Sequence, residues 1–326
     1  MSMGLRTLLG AVGGRNRALC AALVLLVGCL DEPPVVEPSA DPGVFDHPQA
    51  LAFVGDWLVV ANTHYRATDW TGGDVVVLDP VTGRLINRIP TSAPNPQALG
   101  VYGDTLLVLA TGALDLSDFD RPQAGSDGAL DAIPIAGLAT ATQPAWSVPV
   151  PRQPDAAVPA EAPVDLVVLG DRALLTSGVS NAVLPVDLAA RRLGDPIWLA
   201  APAIGLGSAH RWRDRAAVVD FNSDRLHVLE PDGTPWPCAV DLGLSPGNVE
   251  GPGPLSVVGD HLYVVLGFSS TLRHVDLGAL DPDAPGCGGA AETVAGPVGN
   301  VPNDLHVRGD AAWVVDSGDN NLVAYS

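Results

Sequence analysis

The chain has 326 residues, of which 47% are hydrophobic and 17% charged, and it contains 30 prolines and 36 glycines. This composition supports a buried core with frequent turns, which favours many short β-strands over long helices. The 17 basic residues, all arginine, are outnumbered by 37 acidic residues, and the formal charge of −20 argues against a nucleic-acid partner. The absence of lysine also excludes a P-loop, Schiff-base or protein-kinase lysine.

Residues 1–28 have the features of an export signal peptide. A positively charged start leads into the apolar run ALCAALVLLVG, which is shorter than the about 20 residues of an ordinary membrane span. The run ends in LVGC, Leu26 to Cys29, which resembles the lipobox of bacterial lipoproteins. The resemblance implies cleavage before Cys29 and a lipid on its sulfur, whereas the alternative is an ordinary signal peptide with a chance cysteine. We therefore expect a lipid-anchored protein of the bacterial cell envelope, at the outer membrane or on a periplasmic or extracellular face.

The four cysteines divide into two groups. Cys20 lies in the signal and Cys29 is the lipid attachment site, so Cys238 and Cys287 remain as the only pair in an exported, oxidising compartment. We predict a disulfide between them, which would stabilise the fold by on the order of 4 kcal/mol. Two cysteines without further spaced partners make a poor zinc site.

One phrase of 15 residues recurs six times along the chain. In each copy two apolar runs flank a short turn, and the turn aspartates are spaced by 48, 67, 43, 46 and 50 residues. A Gly-Asp turn between β-branched runs predicts a tight β-hairpin, although the fourth copy lacks the glycine. The copies are PQALAFVGDWLVVAN from Pro48, PQALGVYGDTLLVLA from Pro96, PVDLVVLGDRALLTS from Pro163, LGSAHRWRDRAAVVD from Leu206, PGPLSVVGDHLYVVL from Pro252 and PNDLHVRGDAAWVVD from Pro302.

A third strand is predicted after each hairpin, as in DVVVLD (74–79) and RLHVLE (225–230). A weaker fourth strand follows, as in RLINRIP from Arg84. Each repeat therefore predicts a four-stranded antiparallel sheet. In the last four copies the predicted third strand ends at the same offset, sixteen residues after the turn aspartate, at Asp187, Glu230, Asp276 and Ser326.

Six such units resemble the NHL or YVTN repeats of β-propellers, most clearly in VVDSGDNNLVAYS at 314–326. The resemblance implies an all-β fold, a six-bladed β-propeller of four-stranded antiparallel blades over residues 44–326. An insert at about 113–163, rich in proline and alanine, lengthens the second blade. The resemblance is specific for fold only, because such blades serve lactonases, lyases and binding scaffolds alike.

The sixth copy contains three predicted strands, which would leave an exposed sheet edge at the seam of the ring. Val35 and Val36 precede Pro48 by about the distance that separates an outer strand from the next copy. We therefore predict that residues near 33–39 form the closing strand of the last blade. Residues 29–43 would then hold the lipidated cysteine, a short tether and this strand.

Polar side chains recur at the strand ends that face the central channel of a propeller, a favoured place for pockets. Carboxylate and amide oxygens suit calcium, and the pattern is similar to that of gluconolactonase-like propellers, although no complete signature is present. The alternative is that these groups cap strands and turns. The candidates for metal or ligand binding are Asn62, Asp165, Asp220, Asn303, Asp304 and Asp316.

The first two copies carry long loops on the same face, at 63–74 and 113–128. Long loops on a rigid scaffold often bind partners, and a solvated surface loop is the alternative. The candidates for partner binding are His64, Tyr65, Arg66, Trp70, Asp118 and Asp120.

Two functions follow from these patterns. The first is a monomeric, surface-anchored binding or scaffold protein for a protein or glycan partner. The second is a divalent-metal-dependent, lactonase-like hydrolase or lyase at the channel mouth, with calcium as the candidate metal. The motifs G-x-S-x-G, C-x-x-C and H-E-x-x-H are absent, so the sequence identifies no catalytic residue.

Overall fold

The computed structural model describes residues 46–66, 69–70, 72–115, 123–152, 162–199, 205–244, 249–298, 302–308, 311–316 and 321–325. The predicted signal peptide, Cys29, the closing strand at 33–39, Asp118 and Asp120 lie outside these residues. The regular secondary structure of the described residues is almost entirely β-strand, with three short 3-10 segments at Ile135–Gly137, Leu277–Ala279 and Pro285–Gly288. Among them, no helix combines the length and the apolar character needed to span a membrane.

The strands are numbered in chain order within the described residues. They are β1 (Pro48–Val54), β2 (Trp57–Asn62), β3 (Tyr65–Arg66), β4 (Asp69–Trp70), β5 (Asp74–Leu78), β6 (Leu85–Pro90), β7 (Pro96–Tyr102), β8 (Thr105–Ala110), β9 (Leu114–Asp115), β10 (Gln123–Ala124), β11 (Gly128–Pro134), β12 (Trp146–Val150), β13 (Pro163–Leu169), β14 (Arg172–Ser177), β15 (Ala182–Asp187), β16 (Arg192–Leu193), β17 (Ile197–Trp198), β18 (Leu206–Trp212), β19 (Arg215–Asp220), β20 (Arg225–Leu229), β21 (Val240–Asp241), β22 (Pro252–Val258), β23 (His261–Leu266), β24 (Thr271–Asp276), β25 (Glu292–Ala295), β26 (Pro302–Arg308), β27 (Ala311–Asp316) and β28 (Asn321–Tyr325).

The repeats fold as successive antiparallel sheets. The first sheet has the order β1-β2-β5-β6, the second β7-β8-β11-β12 and the third β13-β14-β15-β16, with β17 also paired to β15. The fourth sheet is β18 to β21 and the fifth is β22 to β25, each in chain order. The last sheet has three strands in its described residues, β26-β27-β28. The predicted all-β class and the four-stranded antiparallel unit are thus confirmed.

The hairpin turns explain the recurring glycine. The glycine of the turn adopts a left-handed backbone that residues with a side chain rarely take. In the fourth sheet Arg213 takes the same conformation, with φ of 56°. Its guanidinium donates to both carboxylate oxygens of Asp260, at 2.9 and 2.7 Å, and lies over the ring of Trp212, so these contacts offset the backbone strain. The glycines, with φ between 54° and 61°, are Gly55, Gly103, Gly170 and Gly259.

The core consists of apolar layers between consecutive sheets. Val75 and Val77 of the first sheet pack with Leu106 of the second, and equivalent layers follow between each later pair of neighbours. In β5 every residue is buried, because an inner strand is covered on both faces. From Val75 to Leu78 this strand is therefore a continuous apolar run rather than an alternation of apolar and polar residues.

The predicted disulfide between Cys238 and Cys287 is present, with an S–S distance of 2.06 Å. Cys238 precedes β21 of the fourth sheet, and Cys287 lies in the 3-10 segment between β24 and β25 of the fifth. Cys287 is buried in the apolar layer between these two sheets. The bond therefore links the outer parts of neighbouring sheets.

Two adjacent glycines before β5 provide a test of packing. A Cβ on Gly73 would lie 2.4 Å from Cδ of Pro96 and 2.7 Å from Oγ1 of Thr91, whereas a Cβ on Gly72 would have no neighbour within 4 Å. We expect Gly73→Ala to lower the free energy of unfolding by about 1–3 kcal/mol through overpacking. The matched variant Gly72→Ala should change it by less than about 0.5 kcal/mol. Urea unfolding of both variants measures the difference, and equal stability would contradict the packing.

A buried histidine in β20 makes stability depend on pH. His227 is 5% exposed, and burial lowers its pKa below the ordinary value of 6.5, against a smaller opposing effect of Asp220. The unfolded chain therefore binds a proton that the folded chain resists, so stability is lost as pH falls below about 6.5. We expect the melting temperature of His227→Leu to fall less than that of the wild type between about pH 7.5 and 5.5. An equal fall in both proteins would show that His227 does not control this loss.

Candidate functional site

A cluster of charged side chains lies at the end of the first sheet where β2 leads into β5. Asn62 ends β2, His64 follows it, and Asp74 begins β5. Arg88 comes from the neighbouring outer strand β6, and Asp46 precedes β1. Three strands and the segment before β1 thus bring these five side chains together at one end of the sheet.

Asp74 is the centre of this cluster. Its side chain is 8% exposed, and its Oδ1 accepts a hydrogen bond of 2.9 Å from Nδ2 of Asn62. Its Oδ2 lies 2.8 Å from Nε2 of His64 and also accepts from Nη1 of Arg88. Hydrogen bonds that involve a charged group contribute about 1.5–3 kcal/mol each, so the carboxylate is held firmly in one orientation.

His64 lies between two carboxylates. Its Nδ1 is 3.0 Å from Oδ2 of Asp46, and its Nε2 faces Asp74. Both ring nitrogens therefore have a carboxylate oxygen within hydrogen-bonding distance. His64 also has a φ of 52°, a conformation that is uncommon outside glycine, and its backbone N–H donates to the carbonyl of Asp46 at 3.2 Å. Strained residues of this kind cluster at functional sites.

A cavity of about 340 Å³ opens beside this histidine. Its volume is within the range of small-molecule pockets. Gly72 forms part of the wall, and no atom lies within 4 Å of the position that a side chain there would take. The wall is therefore polar and in part backbone, with space for a ligand. The lining residues are His64, Gly72, Gly73, Asp74, Arg88 and Pro90.

Of the described partner-binding candidates from the sequence, one lies in this site and the others lie in the short strands beside it. His64 belongs to the cluster, and the indole of Trp70 donates a hydrogen bond of 3.0 Å to the carbonyl of Leu114, which joins the loops of the first two sheets. Tyr65 pairs with Trp70 and Arg66 with Asp69 in the short β3–β4 ladder.

Two of the predicted metal ligands bond to the backbone. Oδ1 of Asp165 accepts from the N–H of Leu166 at 2.7 Å, and its Oδ2 accepts from Ala209 of the next sheet at 2.8 Å. Oδ1 of Asp220 accepts from the N–H groups of Asn222 and Ser223, at 3.1 and 3.2 Å. These contacts match the strand-capping alternative considered from the sequence.

Three further predicted ligands lie on the last sheet, whereas Asn62 belongs to the cluster around Asp74. Asn303 and Asp304 are in β26, and Asp316 ends β27 opposite Pro302. In the part of the chain that the structure describes, no group of three or more histidine, cysteine, aspartate or glutamate residues could hold a metal ion. A calcium site therefore stays a prediction from the sequence.

Further along the same face, two phenylalanines form an exposed aromatic pair. Phe221 and Phe268 follow the second strands of the fourth and fifth sheets, and their ring centroids are 5.6 Å apart. Beneath them, Asp224 accepts hydrogen bonds from the N–H groups of Glu250 and Gly251. Burial raises the pKa of Asp224, against the opposing effect of these bonds. This carboxylate joins the two sheets in the same way as Asp165.

A larger cavity of about 720 Å³ lies near the disulfide. Its walls come mainly from proline, alanine and glycine around Cys238, with Arg225 opposite Asp241 on neighbouring strands. It lacks the convergent, buried polar groups that surround His64, so the first sheet holds the better candidate for a binding site.

Sequence reasoning identified His64 and Asn62 but not their partners. In the sequence, Asp74 is the first residue of a predicted apolar strand, and Arg88 is a charged residue within the weakly predicted fourth strand. Only the pairing of β5 with β6 brings Arg88 within reach of Asp74. Asp46 precedes the first repeated phrase, so no repeat pattern marked it.

No protein-family model and no curated protein sequence matches the chain. Solved structures do match. Hydrazine synthase of Kuenenia stuttgartiensis has a TM-score of 0.63 at 15% identity, covering 85% of this chain and 83% of its own. A putative 6-phosphogluconolactonase of Bacteroides uniformis has a TM-score of 0.59 at 15% identity, covering 83% and 78%. Virginiamycin B lyase of Staphylococcus aureus has a TM-score of 0.58 at 11% identity, covering 85% and 83%. At these identities the likeness concerns the fold alone, and that fold is a β-propeller.

Proposed function

We propose that this chain is an exported β-propeller that binds one group of a protein or glycan partner in the pocket beside His64. The observation that carries the proposal is the hydrogen-bonded group of His64, Asp74 and Arg88 in the pocket wall, with Asp46 bonded to His64. Because these side chains already hold one another in place, a ligand does not have to order them on binding, and preorganisation of this kind favours affinity.

The same pairing favours recognition over catalysis. A general base needs a nitrogen lone pair directed at the substrate, but both nitrogens of His64 face carboxylates, at 3.0 and 2.8 Å. Asp74 is likewise engaged on both oxygens. In this state the site offers a fixed pattern of charge and hydrogen-bonding groups rather than an available base.

A lactonase-like hydrolase or lyase is the second candidate. Asp46 at Nδ1 of His64 resembles the carboxylate that orients a catalytic histidine, and a ligand that displaced Nε2 from Asp74 would make it available for proton transfer. A lyase and a putative lactonase among the structures of similar fold support this candidate at the level of fold. The described residues offer no cluster for a metal ion, so no step of this reaction is assigned to calcium.

The proposal includes a position in the cell envelope. Cleavage before Cys29 and lipid on its sulfur would tether a monomeric domain to the membrane. Residues 33–39 would add a fourth strand to the last sheet and close a ring of six blades. The support is the three-stranded last sheet, in which β28 is an edge strand within the described residues.

Two changes test this N-terminal proposal. Deletion of residues 33–39 should lower the melting temperature sharply, because the edge of the last sheet loses its partner. Cys29→Ser should abolish incorporation of labelled fatty acid into the protein in the producing bacterium, because the sulfur that would carry the lipid is lost. An unchanged melt would contradict the closing strand, and labelling that persists in Cys29→Ser would contradict the lipid anchor.

Variants of the pocket wall test its role in binding. The probes are a glycan array and a panel of monosaccharides, uronic acids and their lactones. A compound that binds the folded state should stabilise it by about 2.7 kcal/mol at a hundredfold excess over its Kd, measured by thermal melting. We expect Gly72→Val, which fills the cavity, and His64→Asn to abolish this stabilisation, with Gly72→Ala as the matched control.

The fate of the compound separates the two functions. Recovery of the ligand unchanged supports the binding protein, whereas conversion of a lactone by the wild type and not by His64→Asn supports the enzyme. Binding that survives both Gly72→Val and His64→Asn would place the ligand outside this pocket and overturn the proposal.

A further inference from the structure

Two histidines meet on the fifth sheet, at the end opposite to the strand ends that bear the His64 pocket. His261 begins β23 directly after the hairpin turn, and His274 lies on the neighbouring strand β24. His261 is opposite Asp276 and Tyr263 is opposite His274, so the two histidines are diagonal neighbours on the same face of the sheet. His261 is exposed and His274 is half-buried.

The two imidazoles converge through one nitrogen each. Nδ1 of His261 is 3.0 Å from Nε2 of His274, and the ring centroids are 5.2 Å apart. Such a contact requires a proton on one of the nitrogens and a lone pair on the other. Imidazole nitrogens are also common ligands of transition metals, and here two of them are already within the span of one ion.

We propose that His261 and His274 bind a late first-row transition metal ion, Cu(II) in preference to Ni(II). With metal–nitrogen distances of about 2.0–2.1 Å, two ligands at a right angle are about 2.9 Å apart, and two at a tetrahedral angle about 3.3 Å apart. The two nitrogens are 3.0 Å apart in the hydrogen-bonded pair, so a change of a few tenths of an ångström brings them to either spacing. Cu(II) and Ni(II) prefer the right angles of square-planar or tetragonal geometry, and copper binds more tightly in the general affinity order.

Metal binding requires only a local change. The histidine that donates the hydrogen bond moves its proton to the other ring nitrogen, and the rings turn so that both lone pairs point at the ion. Because His261 is exposed, the ion can keep water in its remaining positions. The site therefore needs neither a buried cavity nor a third protein ligand.

The surroundings of the pair favour a cation. The ring of Tyr263 is 5.1 Å from that of His274, and Tyr263 packs against the apolar layer toward the last sheet, which supports the histidine. Glu292 lies directly opposite His274 on β25 in an exposed position, where its carboxylate is the nearest candidate for an additional ligand. Asp276, opposite His261, adds a further negative charge on the same face.

Titration with Cu(II) tests the site in the purified protein without a polyhistidine tag, with glycine as a competing chelator. Visible absorption and quenching of aromatic fluorescence report on binding. We expect one ion per chain, and an affinity that falls at least about tenfold in His261→Asn and in His274→Gln. Both amides can keep a hydrogen bond between the strands, so melting in EDTA should match the wild type.

The matched control is His210→Asn, which removes an exposed histidine on β18. The ring of His210 hydrogen-bonds to the carbonyl of Arg211 on the same strand. This control variant should bind copper as tightly as the wild type. The proposal is overturned if either variant of the pair binds as tightly as the wild type, or if the double variant retains the same stoichiometry and affinity.

Discussion

Burial of sheet faces against neighbouring sheets is the constraint on which the rest of the structure depends. Each described sheet packs an apolar layer against the next, so strands such as β5 contain no solvent-facing residue. A sheet of this kind is stable only beside its neighbours, because a single sheet would leave its apolar face in water. Many polar groups consequently lie at the strand ends and in the turns, where the backbone groups also need partners, whereas His227 is buried within β20.

Carboxylates at those ends join one sheet to the next. Asp165 accepts a hydrogen bond from a backbone N–H of the next sheet, and Asp224 accepts from backbone N–H groups directly before the next sheet. Because apolar packing is not directional, these hydrogen bonds help to align neighbouring sheets. In the first sheet Asp74 bonds instead to the side chains of His64 and Arg88. These side-chain contacts lie beside a cavity, and this difference supports a role in recognition.

The two proposed sites use opposite ends of the strands. The pocket of His64 follows a second strand, whereas His261 precedes one, so a partner at the pocket and a metal ion at the hairpin end would not compete for the same surface. Both sites depend on histidine contacts between neighbouring strands or loops. Both proposals therefore assign function to side chains that the packed strands hold in place rather than to the apolar layers.

The sequence by itself determined the repeated hairpins, the all-β class and the disulfide, because each rests on local or compositional rules: turn glycines, apolar runs and the count of exported cysteines. It also singled out His64 through its long loop. Only the tertiary structure decided that Asp46, Asp74 and Arg88 surround this histidine, and that His261 and His274 meet. The reason is physical: strand register and sheet neighbours set these contacts, and no local pattern in the chain encodes which side chains face each other across a ladder.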